Sequence, residues 1–388
     1  MKLNRNLKLI ATGLFLWASG EGMFLFVLPN YMQSLGADAV QIGLLFSICA
    51  AARAVSMIPA GLVTDRFGPR IAIVGGWIVG VITGVMMAFS TNFFWFSIAF
   101  VLYNSTAWVV PAMSAYVTRK RGDLTPERAL SSVFSMYSGG LIFAPAIGGL
   151  IGERFGLRMP FVAAMIMFCI SASFMLFIEH QPPHPAEDRL NPMTLTTNRR
   201  FIHFLFLIFG VILALNMGFD LAPKFLADVK MINVAQIGWI GSINAIGGFL
   251  LNQLLGRRPP RRGLMLLMTL ILIYSFILVN TSWIGWFALA YFLRGGYFSF
   301  RSLIGALVTR LVPAAQFGTS MAVAETVMNG AAATAPALAG WLYEKVAPAS
   351  PFQLMWLLVP LAIFCVWQFA PKYEGEGRPS VLFKTSEN

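Results

Sequence analysis

The chain has 388 residues, 57% of them hydrophobic and 11% charged, where a soluble domain carries about 25% charged residues. That deficit excludes a surface that mostly faces water, and apolar stretches near twenty residues recur along the whole length, enough for a helix to cross about 30 Å of hydrocarbon. The formal charge of +12 would raise nucleic-acid binding in a soluble protein, but here the positive residues sit mainly in short connections between apolar runs, where they set orientation in a membrane.

Lys2, Arg5 and Lys8 open the chain ahead of an apolar run, which imitates a secretory signal. Glu21 interrupts that run, no small-residue cleavage site follows, and further apolar runs come after, so the segment reads as a retained first helix. Twelve spans are expected, at roughly 7–33, 41–63, 70–90, 92–116, 128–152, 160–179, 201–226, 236–256, 264–282, 284–308, 317–343 and 353–371. Each must be helical, because lipid satisfies no open backbone and unbroken apolar runs do not alternate as barrel strands do.

Among the connections, the even-numbered ones hold Arg66 and Arg70; Arg119, Lys120 and Arg121; Arg189, Arg199 and Arg200; Arg257, Arg258, Arg261 and Arg262; and Arg310. The odd-numbered ones hold little positive charge. This asymmetry places both termini in the cytoplasm of a multi-pass protein of the plasma membrane. The one long polar connection divides the chain into a six-helix bundle over 1–180, a cytoplasmic linker over 181–200, a second bundle over 201–371 and a cytoplasmic tail over 372–388. Cys49, Cys169 and Cys365 lie far apart in apolar segments, as packing residues rather than a disulfide or metal set.

The two halves repeat each other. Val117-Thr118-Arg119 returns as Val308-Thr309-Arg310, and Ala144 to Gly149 returns as Ala335 to Gly340, both at an offset of 191 (308 − 117 and 335 − 144). Gln41-Ile42-Gly43 returns as Gln236-Ile237-Gly238 at 195 (236 − 41), and Pro29-Asn30-Tyr31 faces Pro223-Lys224-Phe225 at 194 (223 − 29). Four matches in order indicate parallel repeats, an architecture in which two bundles rock around a central site.

The turn between the second and third spans reads GLVTDRFGPR over 61–70. It resembles the signature of the major facilitator superfamily, which Gly61, Asp65, Arg66, Gly68 and Arg70 match, while Pro69 stands where a basic residue is usual. The resemblance implies an all-α membrane fold of twelve helices in two pseudo-symmetric bundles. It also implies a gate, in which Asp65 caps a helix N-terminus of the other half, Gly68 permits a tight reversal, and Arg66 and Arg70 pair with carboxylates or lipid phosphates. The plain alternative is a solvated turn whose arginines only obey the charge rule. A second resemblance, to the superfamily's antiporters, lies in SGGLIFAPAIGG over 138–149, where small residues Gly148 and Gly149 allow close approach and Pro145 bends the helix; ordinary tight packing explains it equally well. Gly76, Gly80 and Gly84 read as packing alone.

Ionisable groups inside spans are costly unless paired or hydrated. Three acids (Glu21, Asp220, Glu325) and three bases (Arg53, Arg294, Arg301) stand out. Counted depth pairs Glu21 with Arg53 and Arg301 with Glu325, leaving Arg294 in mid-membrane without an obvious partner. The superfamily lines its cavity with helices 1, 4, 7 and 10, which carries Glu21, Asp220, Arg294 and Arg301 to the pathway. Arg294, Tyr297, Phe298 and Arg301 share a face, as do Trp17 with Glu21 and Asn104 with Trp108. Structural pairing is the alternative for the charges, and packing for the aromatics. Many proton-coupled members carry an arginine near Asn104; this chain does not, which makes Glu21 the candidate proton carrier with Arg53 beside it.

The expected function is secondary transport by alternating access, exporting small amphipathic or lipophilic compounds in exchange for protons. An anionic metabolite held by Arg294 and Arg301 is the alternative. No nucleotide loop is present and His180, His184 and His203 lack metal spacing, so neither an enzyme, a cofactor nor a metal is expected. The expected partners are a small-molecule substrate, a coupling proton and the lipid bilayer, without nucleic acid, and the expected state is monomeric.

Overall fold

The computed structural model describes residues 3–181, 198–312 and 317–371, excluding the side chains at 57–65, 126, 127, 317–319 and 322. Among the described residues there is no strand, and twelve helical rods follow in chain order. These are α1 (Arg5–Leu25, continued by Leu28–Ser34), α2 (Ala39–Phe67), α3 (Pro69–Phe89), α4 (Phe93–Ser105, Thr106–Trp108 and Val109–Arg119), α5 (Pro126–Phe155) and α6 (Met159–Leu176). The second half holds α7 (Arg199–Asn216 and Ala222–Asp228), α8 (Val234–Gly256), α9 (Pro260–Asn280), α10 (Ile284–Arg294, Gly295–Ser299 and Phe300–Val308), α11 (Phe317–Lys345) and α12 (Ser350–Phe369).

Nine of these are long and apolar enough to cross a membrane, and α1, bent by 53° at its break, makes ten. α10 and α11, which carry Arg294, Arg301 and Glu325, are not among those ten. Each expected span falls on one rod. The expected tail at 372–388 and most of the expected linker lie outside the described residues, as does the side chain of Asp65.

The rods start where side chains can satisfy their first N–H groups. Asn4, Asn92 and Asn198 accept from the backbone of Leu7, Trp95 and Phe201. Pro69, Pro160, Pro260 and Pro351 open their helices at positions that need no donor. Gly68 makes the α2–α3 turn at a φ of 85°, where a side chain would be strained.

Within each half the rods pack on one another, and the halves meet along two seams, α2 on α11 and α5 on α8. Glycines allow this approach. A Cβ on Gly43 would lie 2.2 Å from the Pro336 carbonyl oxygen, and one on Gly238 would lie 2.4 Å from that of Pro145. Both seams close at the end of the molecule opposite the chain's N-terminus, called here the far end. Along the α5 face that meets α8, Gly149, Ala146 and Pro145 are buried, Ile142 is half-buried, and Ser138, Ser135 and Ser131 are exposed. The facing residues of α8 grade the same way, from buried Gly238 and Ser242 to exposed Phe249 and Asn252. The seam therefore opens toward the terminal end.

Candidate functional site

Helices α1, α4, α7 and α10 share a feature: each is interrupted close to its embedded polar residue. α1 breaks at Phe26 and Val27, just past Glu21, and α4 turns 3-10 at Thr106–Trp108, just past Asn104. α7 breaks over 217–221, a stretch that contains Asp220 and in which Gly218 takes a φ of 75°. α10 turns 3-10 immediately after Arg294. Broken helices at membrane depth leave backbone groups and helix ends free to face a site.

In the first half, Glu21 Oε2 accepts a 2.6 Å hydrogen bond from the Tyr137 hydroxyl of α5, and Tyr103 of α4 lies beside it. Arg53 attracts Glu21 through space, but its guanidinium donates to the Asn104 amide oxygen, so the expected direct pair is replaced by two bonds to neutral partners. Asn104 is fixed in turn by donating to the Phe100 carbonyl at 2.8 Å. Arg53 also attracts Asp220 of the other half, which makes it the cation shared by both bundles.

In the second half, Arg294 is 5% exposed. Its Nη2 donates to the Phe219 carbonyl at 3.1 Å, and its guanidinium lies 3.5 Å from the centre of the Phe219 ring. Tyr291, Phe26 and Tyr274 close the box at 5.1, 5.8 and 5.9 Å. The break in α7 frees that carbonyl, and Arg294 satisfies it. The partner that sequence depth could not supply is thus a backbone oxygen and an aromatic cage. Asp220 is half-buried and is attracted by Arg294 and Arg53, with no hydrogen bond to its carboxylate among the described residues. Tyr297 and Asn216 tie α10 to α7, the amide donating to the hydroxyl at 3.0 Å. Arg301 and Glu325 form the expected ion pair.

Other expected site residues lie elsewhere. Trp108 donates to the Ala72 carbonyl at 3.4 Å and sits against Gly76, inside the packing of its own half. Trp17 stacks on Phe168 at 4.3 Å, and Gly80 and Gly84 admit these two rings. Arg70 bonds the Ile178 and Leu176 carbonyls at 2.8 and 3.0 Å, holding the end of α6 rather than a carboxylate, and Arg66 lies over the Phe67 ring. In α5, a Cβ on Gly148 would lie 1.9 Å from the Met23 carbonyl oxygen, so the glycines there serve close packing on both α1 and α8. Sequence reading missed Tyr137 and Tyr103, whose only signal was a hydroxyl amid apolar residues. It also missed Lys224, which is 5% exposed inside α7 and bonded to Asp228 at 2.7 Å.

The family model described as Major Facilitator Superfamily matches residues 10–300. The chain is 25% identical over 299 residues to an uncharacterized MFS-type transporter of Methanocaldococcus jannaschii, covering 72% of this chain and 76% of that protein. It is 28% identical over 171 residues to multidrug resistance protein 2 of Bacillus subtilis, covering 44% and 42% of the two chains. It is 26% identical over 228 residues to the quinolone resistance protein NorA of Staphylococcus aureus, covering 57% and 56%. The alignments thus span about half the length of the two resistance proteins. Among solved structures, a mutant of the nucleoside transporter NupG aligns with a TM-score of 0.83 at 17% identity, over 94% of this chain and all of that one. A POT family transporter in complex with 5-aminolevulinic acid aligns at 0.75 and 15% identity, over 94% and 95%.

Proposed function

Because this chain belongs to the Major Facilitator Superfamily, and is therefore a multi-pass membrane transporter and not an enzyme, we propose that it exports small amphipathic or lipophilic compounds across the plasma membrane in exchange for protons. The observation that carries this reading is the run of charges between the two halves: Glu21, Arg53 and Asp220. Glu21 is held by a neutral phenol, so it can exist with or without its proton at modest structural cost. Arg53, bonded to a neutral amide and attracted by carboxylates on both halves, is able to shift between them as Glu21 changes charge. Such a shift couples proton binding to the rocking of the bundles, because an opposite charge favours the ionised carboxylate.

The basic connections gather at the terminal end, which this reading assigns to the cytoplasm; the described form then opens inward, ready to receive a compound from inside the cell. The similarity to multidrug and quinolone resistance proteins supports an amphipathic substrate. The alternative of an anionic metabolite gains no support: Arg294 is enclosed by rings and Arg301 is already paired with Glu325. The test is transport of a fluorescent amphipathic cation in proteoliposomes under an imposed pH gradient. Wild type is expected to move the dye against its gradient, and Glu21→Gln only to equilibrate it. Equal uphill transport by the variant would overturn proton coupling through Glu21.

A further inference from the structure

The far-end seams contain a second duplication. At the start of α2, Asp38 and Gln41 form a reciprocal cap, with Gln41 N donating to Asp38 Oδ1 at 2.7 Å and Asp38 N to Gln41 Oε1 at 3.1 Å. At the start of α8, Asn233 and Gln236 do the same at 2.8 and 3.3 Å. Such a box satisfies two of the helix's orphan donors and leaves the first helical N–H free. In both helices that N–H is taken by a carboxylate from the opposite half: Ala39 N donates to Glu344 Oε2 of α11 at 3.2 Å, and Val234 N donates to Glu153 Oε2 of α5 at 3.0 Å.

Two turns deeper, the pattern repeats with hydroxyls. Pro145 and Pro336 lie inside α5 and α11, and a proline there opens the backbone ladder. The N–H that follows each proline crosses the seam: Ala146 N donates to Ser242 Oγ at 3.1 Å, and Ala337 N donates to Ser47 Oγ at 3.0 Å. All four contacts obey the repeat of the sequence, with 234 − 39 and 242 − 47 both 195, and 344 − 153 and 337 − 146 both 191. Four backbone donors at symmetry-related positions thus meet acceptors on the other bundle.

We infer that Glu153, Glu344, Ser47 and Ser242 are positioning residues of the transport cycle, a duplicated clasp that sets how often the far end opens. Both seams must part for that end to open, so every one of these bonds is present in one state and broken in the other. Only an interaction that differs between two states can shift their balance. The carboxylates act on a helix N-terminus, where a negative charge is favoured, and both are exposed, so water can receive them when the seam parts. The clasp rests on the two bundles rocking and is independent of the proposed substrate and coupling ion.

The test measures the two ends at once in the purified full-length protein. Spin labels on Gln33 and Val346, both exposed at the far end, report one opening, and labels on Arg128 and Gln253, both exposed toward the terminal end, report the other. Glu153→Ala and Glu344→Ala are each expected to raise the far-end-open population about 2- to 5-fold. Ser47→Ala and Ser242→Ala are expected to raise it about 2- to 12-fold, and in every case the terminal-end distance shortens in step. Glu→Gln variants keep the acceptor and lose the charge, and are expected to fall between wild type and Ala. Unchanged distances in all four Ala variants would overturn the clasp. So would broadening at both ends with a lower unfolding temperature and no reciprocal shift, since that marks a purely structural role. An effect at one seam only would overturn the duplication.

Discussion

The two halves share one fold and one repeat, yet they treat embedded charge differently. In the first half, Glu21 and Arg53 are bonded to a phenol and an amide, both neutral groups. In the second, charges are answered by opposite charges or sealed away: Arg301 by Glu325, Lys224 by Asp228, and Arg294 under the Phe219 ring. Asp220, whose carboxylate makes no hydrogen bond among the described residues, is attracted by Arg294 and also by Arg53 of the first half. A duplicated scaffold has thus kept its seams symmetric while its charged interior has diverged, one bundle holding its charges with neutral partners and the other with opposite charges and aromatic rings.

The largest effect that this contrast implies is structural and falls in the second half. Arg294→Ala strands the Phe219 carbonyl and empties the aromatic box, at an expected cost of about 3 kcal/mol. It should appear as a clearly lower unfolding temperature in detergent, unrelieved by Arg294→Lys, which lacks the planar cation. A variant of normal stability that loses only transport would move Arg294 from brace to pathway. Next in size, Tyr137→Phe removes the hydroxyl that holds Glu21 and is expected to slow transport measured under an imposed pH gradient about tenfold, near 1.4 kcal/mol, with stability changed by less. If unfolding and transport suffer equally, the division between the halves fails.

A smaller effect is expected at Arg301 and Glu325. The arginine side chain is 68% exposed, so a double-mutant cycle through Ala should give a coupling of about 1 kcal/mol or less. A larger coupling would mean that this pair works in a closed state. The smallest effect lies at the surface of the first half. There the Lys120 ammonium, 2.5 Å from Glu179, and then Asn6 hold the Glu179 carboxyl below its usual range. A lowered carboxyl stabilises the fold above its unfolded value of 4.5 and loses that contribution as pH falls through the folded value. Unfolding temperature measured down the acid limb should therefore fall slightly less steeply in Glu179→Gln. An identical slope would assign the pair no role.

The spans were legible because hydrocarbon imposes them: only a helix of about twenty apolar residues can cross. The repeat was legible because its matches kept register. The Arg301–Glu325 pair could be counted out along the helices, since both residues stand the same number of turns from one connection. Glu21 and Arg53 passed the same count, and depth placed them together correctly, but depth gives no azimuth, so it could not show that Tyr137 and Asn104 would reach these groups first. Trp108 shared a face with Asn104 by spacing, but the 3-10 turn between them rotates it toward Ala72.

By itself, then, the sequence determined that this chain lies in a membrane, crosses it as helices, repeats itself and buries a handful of charges, because each of those follows from composition and period along a single line of residues. Only the tertiary structure decided which donor meets which acceptor across the helix breaks and seams. Those choices depend on the rotation of each rod about its axis and on backbone groups freed by Gly218, Pro145 and Pro336, and neither is encoded in the spacing of side chains along one helix.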